Sequence, residues 1–192
     1  MAKLVVSEEV SLDGVLQDPT GEEGFRHGGW FNRVGEETRR AWAEVKTKEA
    51  FAATALLHGR KTDEWFGSRW STREGEWADR LNSLPKYVVS STLEHPDWNN
   101  SRILKGDAVT EVSKLKQELN GEIVIPASYQ LGRTLIEHDL VDEIRLVVFP
   151  VALGAGEQFF GEMGQRKPMR LVDTWTIGDG LVMLTYQFTK GA

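Results

Sequence analysis

The alternation of strand-like and helix-like segments is the feature that most restricts how this chain can fold. Up to Glu137, short apolar runs that end at turn or polar residues alternate with segments of helical period. This alternation is typical of parallel strands joined by helices. The remainder of the chain contains three strand-like segments, Ile144–Phe149, Met169–Ile177 and Leu181–Phe188, the last two joined by Gly178-Asp179-Gly180. The sequence therefore predicts an α/β fold whose mixed, mostly parallel sheet ends in an antiparallel hairpin.

The earlier strands and helices are predicted from the spacing of their apolar residues and from the turn or capping residues at their ends. Strands are expected at Leu4–Leu12, Ala55–His58, Tyr87–Val89 and Glu122–Pro126. Helices are expected from Gly35 to Ala52, after Asp107 as an N-cap, and after Ser128 as an N-cap. A short helix and a loop are expected over Trp65–Leu84. Residues 17–29 are polar and glycine-rich, and a loop of that length is typical of a functional segment.

Composition and charge exclude several classes of function. The 192 residues are 40% hydrophobic and include seven Trp, which favours one globular domain over residues 1–192. The formal net charge of −6 disfavours binding to nucleic acid or to anionic membranes. The chain has no cysteine and so no thiolate nucleophile or cysteine zinc site. Glu8 and Glu9 interrupt the apolar stretch that a signal peptide needs, so we expect a cytoplasmic protein with no membrane span.

Common catalytic and metal-binding motifs are missing from the sequence. The four histidines, His27, His58, His95 and His138, show no metal-ligand spacing, so each is expected at the surface or at a strand end. No metal site is predicted. The nucleophile elbow, the phosphate loop and the GxGxxG dinucleotide fingerprint do not occur either. Hydrolytic chemistry and the usual dinucleotide-binding fold are therefore disfavoured.

Small polar residues follow three of the predicted strands. These residues are Gly59-Arg60-Lys61-Thr62, Ser90-Ser91-Thr92 and Ala127-Ser128. The carboxyl ends of parallel strands meet at one edge of a sheet, where such folds bind their ligands. Backbone N–H groups at helix starts, hydroxyl donors and two basic side chains are suited to phosphate groups. The sequence predicts that the three segments converge on an anionic ligand.

Five sequence blocks together resemble the dihydrofolate reductase-like superfamily, in the branch of the reductase domain of bifunctional riboflavin-biosynthesis proteins. The blocks are SLDG at residues 11–14, HGGW at 27–30, LLHGRKT at 56–62, KYVVSSTL at 86–93, and SYQLGRTLIEHDLVDEIRLVVFPVALGAGEQFF at 128–160. The resemblance implies a three-layer α/β/α fold and a reduced nicotinamide cofactor, NADPH. It also implies a homodimer.

The resemblance assigns roles to individual residues of this chain. Adenosine phosphates are expected at Gly59, Arg60, Lys61, Thr62, Ser90, Ser91 and Thr92, with Arg60 on the 2′-phosphate. The pyrophosphate is expected at Ala127, Ser128, Gln130 and Leu131. Ser7 and the SLDG turn are expected to border the nicotinamide, with residues 17–29 as a lid. From the residues themselves, Trp30 after Gly28-Gly29 is expected to lie against a flat heterocyclic substrate, and Asp13 is expected as a turn former or a substrate contact.

The proton donor and the substrate are left open by the sequence. Asp13, Glu36, Glu37 and Glu44 are acidic candidates, although acids at a helix start also favour the helix dipole. Riboflavin-pathway reductases typically end the strand before the pyrophosphate helix in Glu-Gly-Gly, where this chain has Pro126-Ala127-Ser128. Without cysteine, the chain also lacks the zinc deaminase of the bifunctional enzymes. The expected activity is reduction of a small planar heterocycle, most like 5-amino-6-(5-phosphoribosylamino)uracil, with dihydrofolate or pteridine reduction, or non-catalytic nucleotide binding, as alternatives.

Overall fold

A computed structural model describes residues 1–161 and 163–189 of the chain. Its strands are β1 (Lys3–Ser11), β2 (Ala53–Gly59), β3 (Lys86–Val89), β4 (Ser101–Leu104), β5 (Glu122–Pro126), β6 (Glu143–Phe149), β7 (Met169–Ile177) and β8 (Leu181–Phe188). Its α-helices are α1 (Glu36–Ala52), α2 (Arg60–Trp70), α3 (Glu76–Ser83), α4 (Ala108–Glu118) and α5 (Tyr129–Glu137), and Trp30–Arg33 form a short 3-10 helix. The strands form a sheet in the order β4-β3-β2-β5-β1-β6-β8-β7. This mixed sheet with an antiparallel end confirms the predicted fold class.

Two details of the predicted element order are wrong. The region predicted as one short helix and a loop contains α3 and most of α2, which begins at Arg60, directly after β2. Strand β4 was not predicted, because its four residues are at most half-buried and only Ile103 and Leu104 are apolar. Its position is set by parallel pairing with β3, in which Val88 lies opposite Ile103.

The chain divides into two compact units, which are described separately. The first comprises Met1–Val6 and Lys46–Asp142, and within it β4, β3, β2 and β5 pair in parallel. One core of this unit is rich in tryptophan: Trp70 and Trp98 are buried with Leu56, Leu81 and Val124. Burial of each such large apolar side chain contributes about 1.5–3 kcal/mol, so this core holds α2 and α3 to the sheet.

The second unit comprises Ser7–Val45 and Glu143–Ala192, and its strands β6, β8 and β7 are antiparallel. The turn between β7 and β8 contains Gly178 at φ 55° and Gly180 at φ 112°. A β-carbon on Gly178 would lie 2.7 Å from the Cα atom of Thr38, so this close approach requires glycine. Trp30, Phe149, Ile177, Leu181 and Met183 form part of the buried core of this unit.

No helix in the part of the chain that the structure describes has both the length and the apolar character needed to cross a membrane. The assignment of residues 1–192 to one domain stays a prediction.

Candidate functional site

The three polar segments predicted from the sequence follow neighbouring strands of the first unit. In the parallel pairing of β2 with β3, Gly59 lies opposite Val89, so Arg60 and Ser90 are the next residues along the two strands. On the other side of β2, Leu56 lies opposite Val124 of β5, and Ala127 follows β5. The segments Gly59–Thr62, Ser90–Thr92 and Ala127–Leu131 therefore come together at one edge of the sheet, as the sequence predicts.

Ser128 connects two of these segments by hydrogen bonds. Its buried Oγ atom accepts from the Gly59 N–H at 3.1 Å and donates to Thr62 Oγ1 at 2.8 Å. Thr62 Oγ1 in turn donates to the Ala127 carbonyl at 2.8 Å. The prediction that the Ser128 side chain caps α5 is wrong, because Ser128 occupies the N-cap position but makes no side-chain capping bond. Its hydroxyl joins the end of β2 to the end of β5 instead.

Helices α2 and α5 both begin at this connection without a side-chain cap. Helix α4 provides the contrast, because the Asp107 carboxylate accepts from the Thr110 N–H at 2.9 Å and confirms the predicted cap. The first N–H groups of an uncapped helix remain available, and the helix dipole makes that end positive. A β-carbon on Gly59 would meet nothing within 4 Å, so the end of β2 is open on that side. Two positive helix ends beside an open strand end can hold an anion.

The two basic residues of the site lie in the first turn of α2. Arg60 and Lys61 are exposed. The Arg60 Nη1 atom lies 3.0 Å from Glu64 Oε1, one helical turn away, and both side chains are nearly half exposed. Arg60 thus has an acidic partner on its own helix. A phosphate group bound by Arg60 must compete with that carboxylate.

The remaining predicted phosphate contacts differ in their surroundings. The Ser90 Oγ atom accepts from the N–H groups of Thr92 at 3.3 Å and Leu93 at 3.0 Å, which folds this segment into a turn. Ser91, Thr92 and Gln130 are exposed, whereas Leu131 is half-buried. Ser90 thus shapes its segment through its own side chain, and Ser91 and Thr92 lie on the surface beside it.

Ala127 has a backbone conformation that favours glycine. Its φ is 48°, in the left-handed region that glycine adopts most easily. An L-residue with a β-carbon pays about 1–2 kcal/mol there. The turn between β5 and α5 keeps the glycine-type geometry although the sequence has alanine.

Asp13, predicted as a turn residue or a substrate contact, is occupied by contacts within the second unit. Its Oδ1 atom accepts from the Ser11 hydroxyl at 2.7 Å, and its Oδ2 atom accepts from the Gly154 N–H at 2.7 Å. The Leu153 N–H lies within 3.2 Å of both oxygens. The Ser11 hydroxyl, followed by the N–H groups of Gly154 and Leu153, lowers the pKa of Asp13 from 3.8 to about 2. This geometry is that of a carboxylate clamping two loops together.

The other predicted substrate and catalytic candidates also belong to the second unit. Trp30 is 2% exposed, its ring lies edge-on to Phe149 with centroids 5.2 Å apart, and its Nε1–H donates to the Gln17 carbonyl at 3.1 Å. The tryptophan is thus part of the core. Ser7, which was predicted to border the nicotinamide, is buried as well. Glu36, Glu37 and Glu44 are exposed on α1.

The loop predicted as a lid is folded around Asp18. The buried Asp18 carboxylate accepts from the N–H groups of Glu23 and Phe25, each at 3.0 Å. Burial acts to raise the pKa of Asp18, but these N–H groups outweigh it and the pKa lies below its ordinary value. A β-carbon on Gly28 would lie 2.4 Å from Asp18 Oδ2, so the loop needs glycine there. The lid role itself stays a prediction.

Sequence reasoning missed a buried histidine–aspartate pair at the first turn of α2. His58 was expected at the surface or at a strand end, and it lies near the end of β2 as the second alternative has it. It is fully buried there, with its Nε2 atom 3.2 Å from Asp63 Oδ1. Lys86 is buried nearby. An aspartate in the first turn of a helix is ordinary, so only the tertiary arrangement distinguishes this one. Among the described residues, no three His, Asp or Glu residues are grouped as metal ligands.

Comparison with known proteins identifies the family. Residues 2–183 match the model of the RibD C-terminal domain. The chain belongs to the RibD C-terminal domain family. The uncharacterized protein YyaP of Bacillus subtilis is 31% identical over 138 residues, which cover 69% of this chain and 73% of that protein. Membership of this family confirms the resemblance stated from the sequence motifs.

Solved structures share the fold. A protein of Shewanella sp. PV-4 described as a riboflavin biosynthesis protein has a TM-score of 0.71 at 22% identity, over 99% of this chain and all of its own. RibD of Acinetobacter baumannii has a TM-score of 0.67 at 16% identity, over 99% of this chain and 59% of its own. Dihydrofolate reductase of Enterococcus faecalis, in complex with NADP(H), has a TM-score of 0.60 at 16% identity, over 98% of this chain and 97% of its own. The chain thus has the fold of a RibD-like and dihydrofolate reductase-like domain.

Proposed function

We propose that this protein is an NADPH-dependent reductase that transfers hydride to a small planar heterocycle. The observation that carries the proposal is the hydrogen-bonded junction of Gly59, Thr62 and Ser128, which brings two uncapped helix starts to one edge of the sheet. Such a junction offers N–H groups and two positive helix ends to a ligand with several phosphates. Membership of the RibD C-terminal domain family supports the same ligand.

The residues present fit a dinucleotide phosphate. In the proposal, Arg60 and Lys61 bind the adenosine phosphates together with Thr62 and the segment Ser90–Thr92. Ala127, Ser128, Gln130 and Leu131 adjoin the pyrophosphate. When bound, NADPH would supply the hydride. The protein would supply charge, orientation and exclusion of water, which are the usual contributions of a cofactor enzyme.

For the substrate we propose the pyrimidine or pteridine class. A pyrimidine such as 5-amino-6-(5-phosphoribosylamino)uracil follows from the family, and a dihydrofolate or pteridine substrate follows from the shared fold of dihydrofolate reductase. The strand end Pro126-Ala127 lacks the Glu-Gly of the pyrimidine reductases, which keeps the pteridine alternative open. A third alternative is that this protein binds the nucleotide but does not reduce a substrate.

The test is a titration of the purified protein with NADPH and NADH, followed by energy transfer from tryptophan to the reduced nicotinamide. Saturable binding that favours NADPH is the expected result. The variant Arg60→Ala should weaken NADPH by about 10- to 150-fold relative to NADH, because a hydrogen bond to a charged group is worth about 1.5–3 kcal/mol. Arg40→Ala is the matched control, because Arg40 has a similar exposed partner, Glu36, four residues away. Equal loss of both nucleotides in Arg60→Ala would contradict the 2′-phosphate assignment, and no binding by the wild type would contradict the reductase.

A homodimer is part of the proposal. Strand β7 is the last strand in the order of the sheet, and Leu171, Val172 and Trp175 on it are 39–45% exposed. Exposed apolar side chains on an edge strand favour pairing with a second copy. Light scattering should give about twice the monomer mass of 21.6 kDa, and Trp175→Glu should shift that mass toward the monomer. A wild-type protein that is monomeric at micromolar concentration would contradict the dimer.

A further inference from the structure

A buried network of charged and polar groups lies beneath the first turn of α2. Asp63 is fully buried, and its Oδ1 atom lies 3.2 Å from both His58 Nε2 and the donating Ser101 hydroxyl. Its Oδ2 atom accepts from the Asp97 N–H at 2.7 Å. Burial acts to raise the pKa of Asp63, but His58 and the Asp97 N–H outweigh it, so the pKa lies below its ordinary value. The carboxylate is therefore ionised at neutral pH and has a hydrogen bond on each oxygen.

His58 is held neutral in this network. Burial lowers its pKa, and the charge of Lys86 acts in the same direction, although Asp63 opposes both. The ring lies 5.7 Å from the Trp98 ring, and its Nδ1 atom has no hydrogen-bond partner among the described residues. A neutral ring that faces a carboxylate through Nε2 donates from that atom. His58 thus acts as a hydrogen-bond donor to Asp63.

The contacts of Asp63 join two segments of the proposed cofactor site without forming part of either. Asp63 directly follows Gly59–Thr62, whereas Asp97 lies in the segment that follows Ser90–Thr92. A second close approach supports this connection: a β-carbon on Gly67 of α2 would lie 2.8 Å from the Asp97 carbonyl carbon and 2.9 Å from the Trp98 nitrogen. Phe66 of α2 also stacks on Trp98, with ring centroids 5.0 Å apart. Helix α2 and this segment are thus held together at several points.

We propose that Asp63 is a positioning residue, which sets the separation between Gly59–Thr62 and Ser90–Thr92 and thereby the affinity for the adenosine phosphates of the cofactor. The inference rests on the proposed function, because the ligand that spans the two segments is the proposed dinucleotide. Charge-assisted hydrogen bonds to phosphate groups are short and directional. If the two segments move apart by a fraction of an ångström, their hydrogen bonds to the adenosine phosphates therefore become weaker. Asp63 acts through the segments and touches no ligand itself.

The first experiment compares Asp63→Ala, Asp63→Asn and the wild type. Two probes separate the halves of the cofactor: 2′,5′-ADP carries the adenosine phosphates, and reduced nicotinamide mononucleotide lacks them. Asp63→Ala should lower the affinity for 2′,5′-ADP about tenfold or more and leave the affinity for the mononucleotide within about threefold of the wild type. A tenfold loss corresponds to one hydrogen bond between the displaced segments and a charged phosphate. Asp63→Asn should restore the affinity for 2′,5′-ADP to within about threefold of the wild type, because its amide oxygen accepts from the Asp97 N–H and its NH2 group donates to the Ser101 hydroxyl oxygen.

A matched control separates positioning from loss of stability. Val112 is fully buried in α4 of the same unit, away from both segments in the sequence, so Val112→Ala lowers stability without cutting the connection. Val112→Ala should bind 2′,5′-ADP as the wild type does at a temperature where both are folded. An equal loss in Val112→Ala, or wild-type affinity in Asp63→Ala, would overturn the proposal.

A second variant tests the same connection without replacing Asp63 itself. Gly67→Ala adds a methyl group that must push the Asp97–Trp98 backbone away from α2, while alanine favours the helix. Gly67→Ala should show the same selective loss of 2′,5′-ADP, and unchanged affinity would contradict the proposal even if Asp63→Ala does not fold. Amide hydrogen exchange in residues 93–98 should increase in Gly67→Ala but not in Val112→Ala. If the wild type binds neither nucleotide, the proposed function fails, and the exchange data still report separately whether the connection exists.

Discussion

Replacement of Asp13 by asparagine tests whether this residue clamps two loops or contacts a substrate. The isosteric amide keeps one acceptor oxygen but directs an NH2 group at a backbone N–H of Leu153 or Gly154, so two donors face each other. We expect Asp13→Asn to lose stability at neutral pH.

The size of this loss follows from the pKa of Asp13. The folded value of about 2 against 3.8 is a difference of about 1.8 pH units, equivalent to about 2.4 kcal/mol at 1.36 kcal/mol per unit. Asp13 is partly exposed, so solvent screening reduces this figure to about 1–2 kcal/mol. For a chain of this length, that is a decrease in Tm of about 2–8 °C.

The stabilisation by Asp13 should depend on pH. Because folding lowers the pKa of Asp13, its contribution is complete above pH 3.8 and is lost as the pH falls toward about 2. The stability difference between wild type and Asp13→Asn, measured by urea denaturation, should therefore be full at pH 5–7 and shrink toward pH 2. Asp179→Asn in the exposed turn between β7 and β8 is the control and should change stability little at any pH. Unchanged stability at pH 7 combined with loss of turnover would refute the clamp and restore Asp13 as a substrate contact.

Three further predictions concern the first unit. Glu64→Gln should raise the affinity for NADPH about three- to tenfold relative to NADH. The substitution frees the Arg60 guanidinium from an exposed ion pair worth up to about 1 kcal/mol, and it removes a negative charge that repels the phosphate. An unchanged ratio of the two dissociation constants would contradict this prediction. Ala127→Gly should stabilise the protein by about 0.5–1 kcal/mol. Glycine removes the strain of the left-handed conformation, and this gain exceeds the cost of the greater entropy that glycine gives the unfolded chain. A lower denaturation midpoint in the variant would contradict this prediction. Burial lowers the pKa of Lys86 to about 8, so the unfolded chain binds more protons above that value and stability should rise between pH 8 and 10. Lys86→Met should abolish that rise in urea denaturation, and the same rise in this variant would assign it to another group.

Much of the fold could be predicted because it depends on local patterns. The strand Glu122–Pro126 and the hairpin strands Met169–Ile177 and Leu181–Phe188 were predicted with the bounds that the structure has. Alternation of apolar residues and turn-forming glycines acts over a few neighbouring residues, so the sequence displays it directly. Strand β4 escaped prediction because its pairing with β3, rather than its own four residues, makes it a strand.

The candidate site was predictable in its location but not in its connections. Parallel strands bring their carboxyl ends to one edge, so polar residues after β2, β3 and β5 had to meet there. The hydrogen-bond partner of each side chain could not be predicted in the same way. Ser128 was expected as a helix cap, and the structure assigns its hydroxyl to Gly59, 69 residues away in the chain.

The strand–helix alternation, the antiparallel ending and the position of the polar strand ends follow from local sequence patterns. Tertiary structure alone decided that Asp63 is buried against His58 and that Asp13 binds Gly154, 141 residues away. The physical reason is that every residue except proline carries the same backbone N–H donor. A carboxylate therefore finds its partner by proximity in the folded chain, and no residue type in the sequence marks which N–H group that will be.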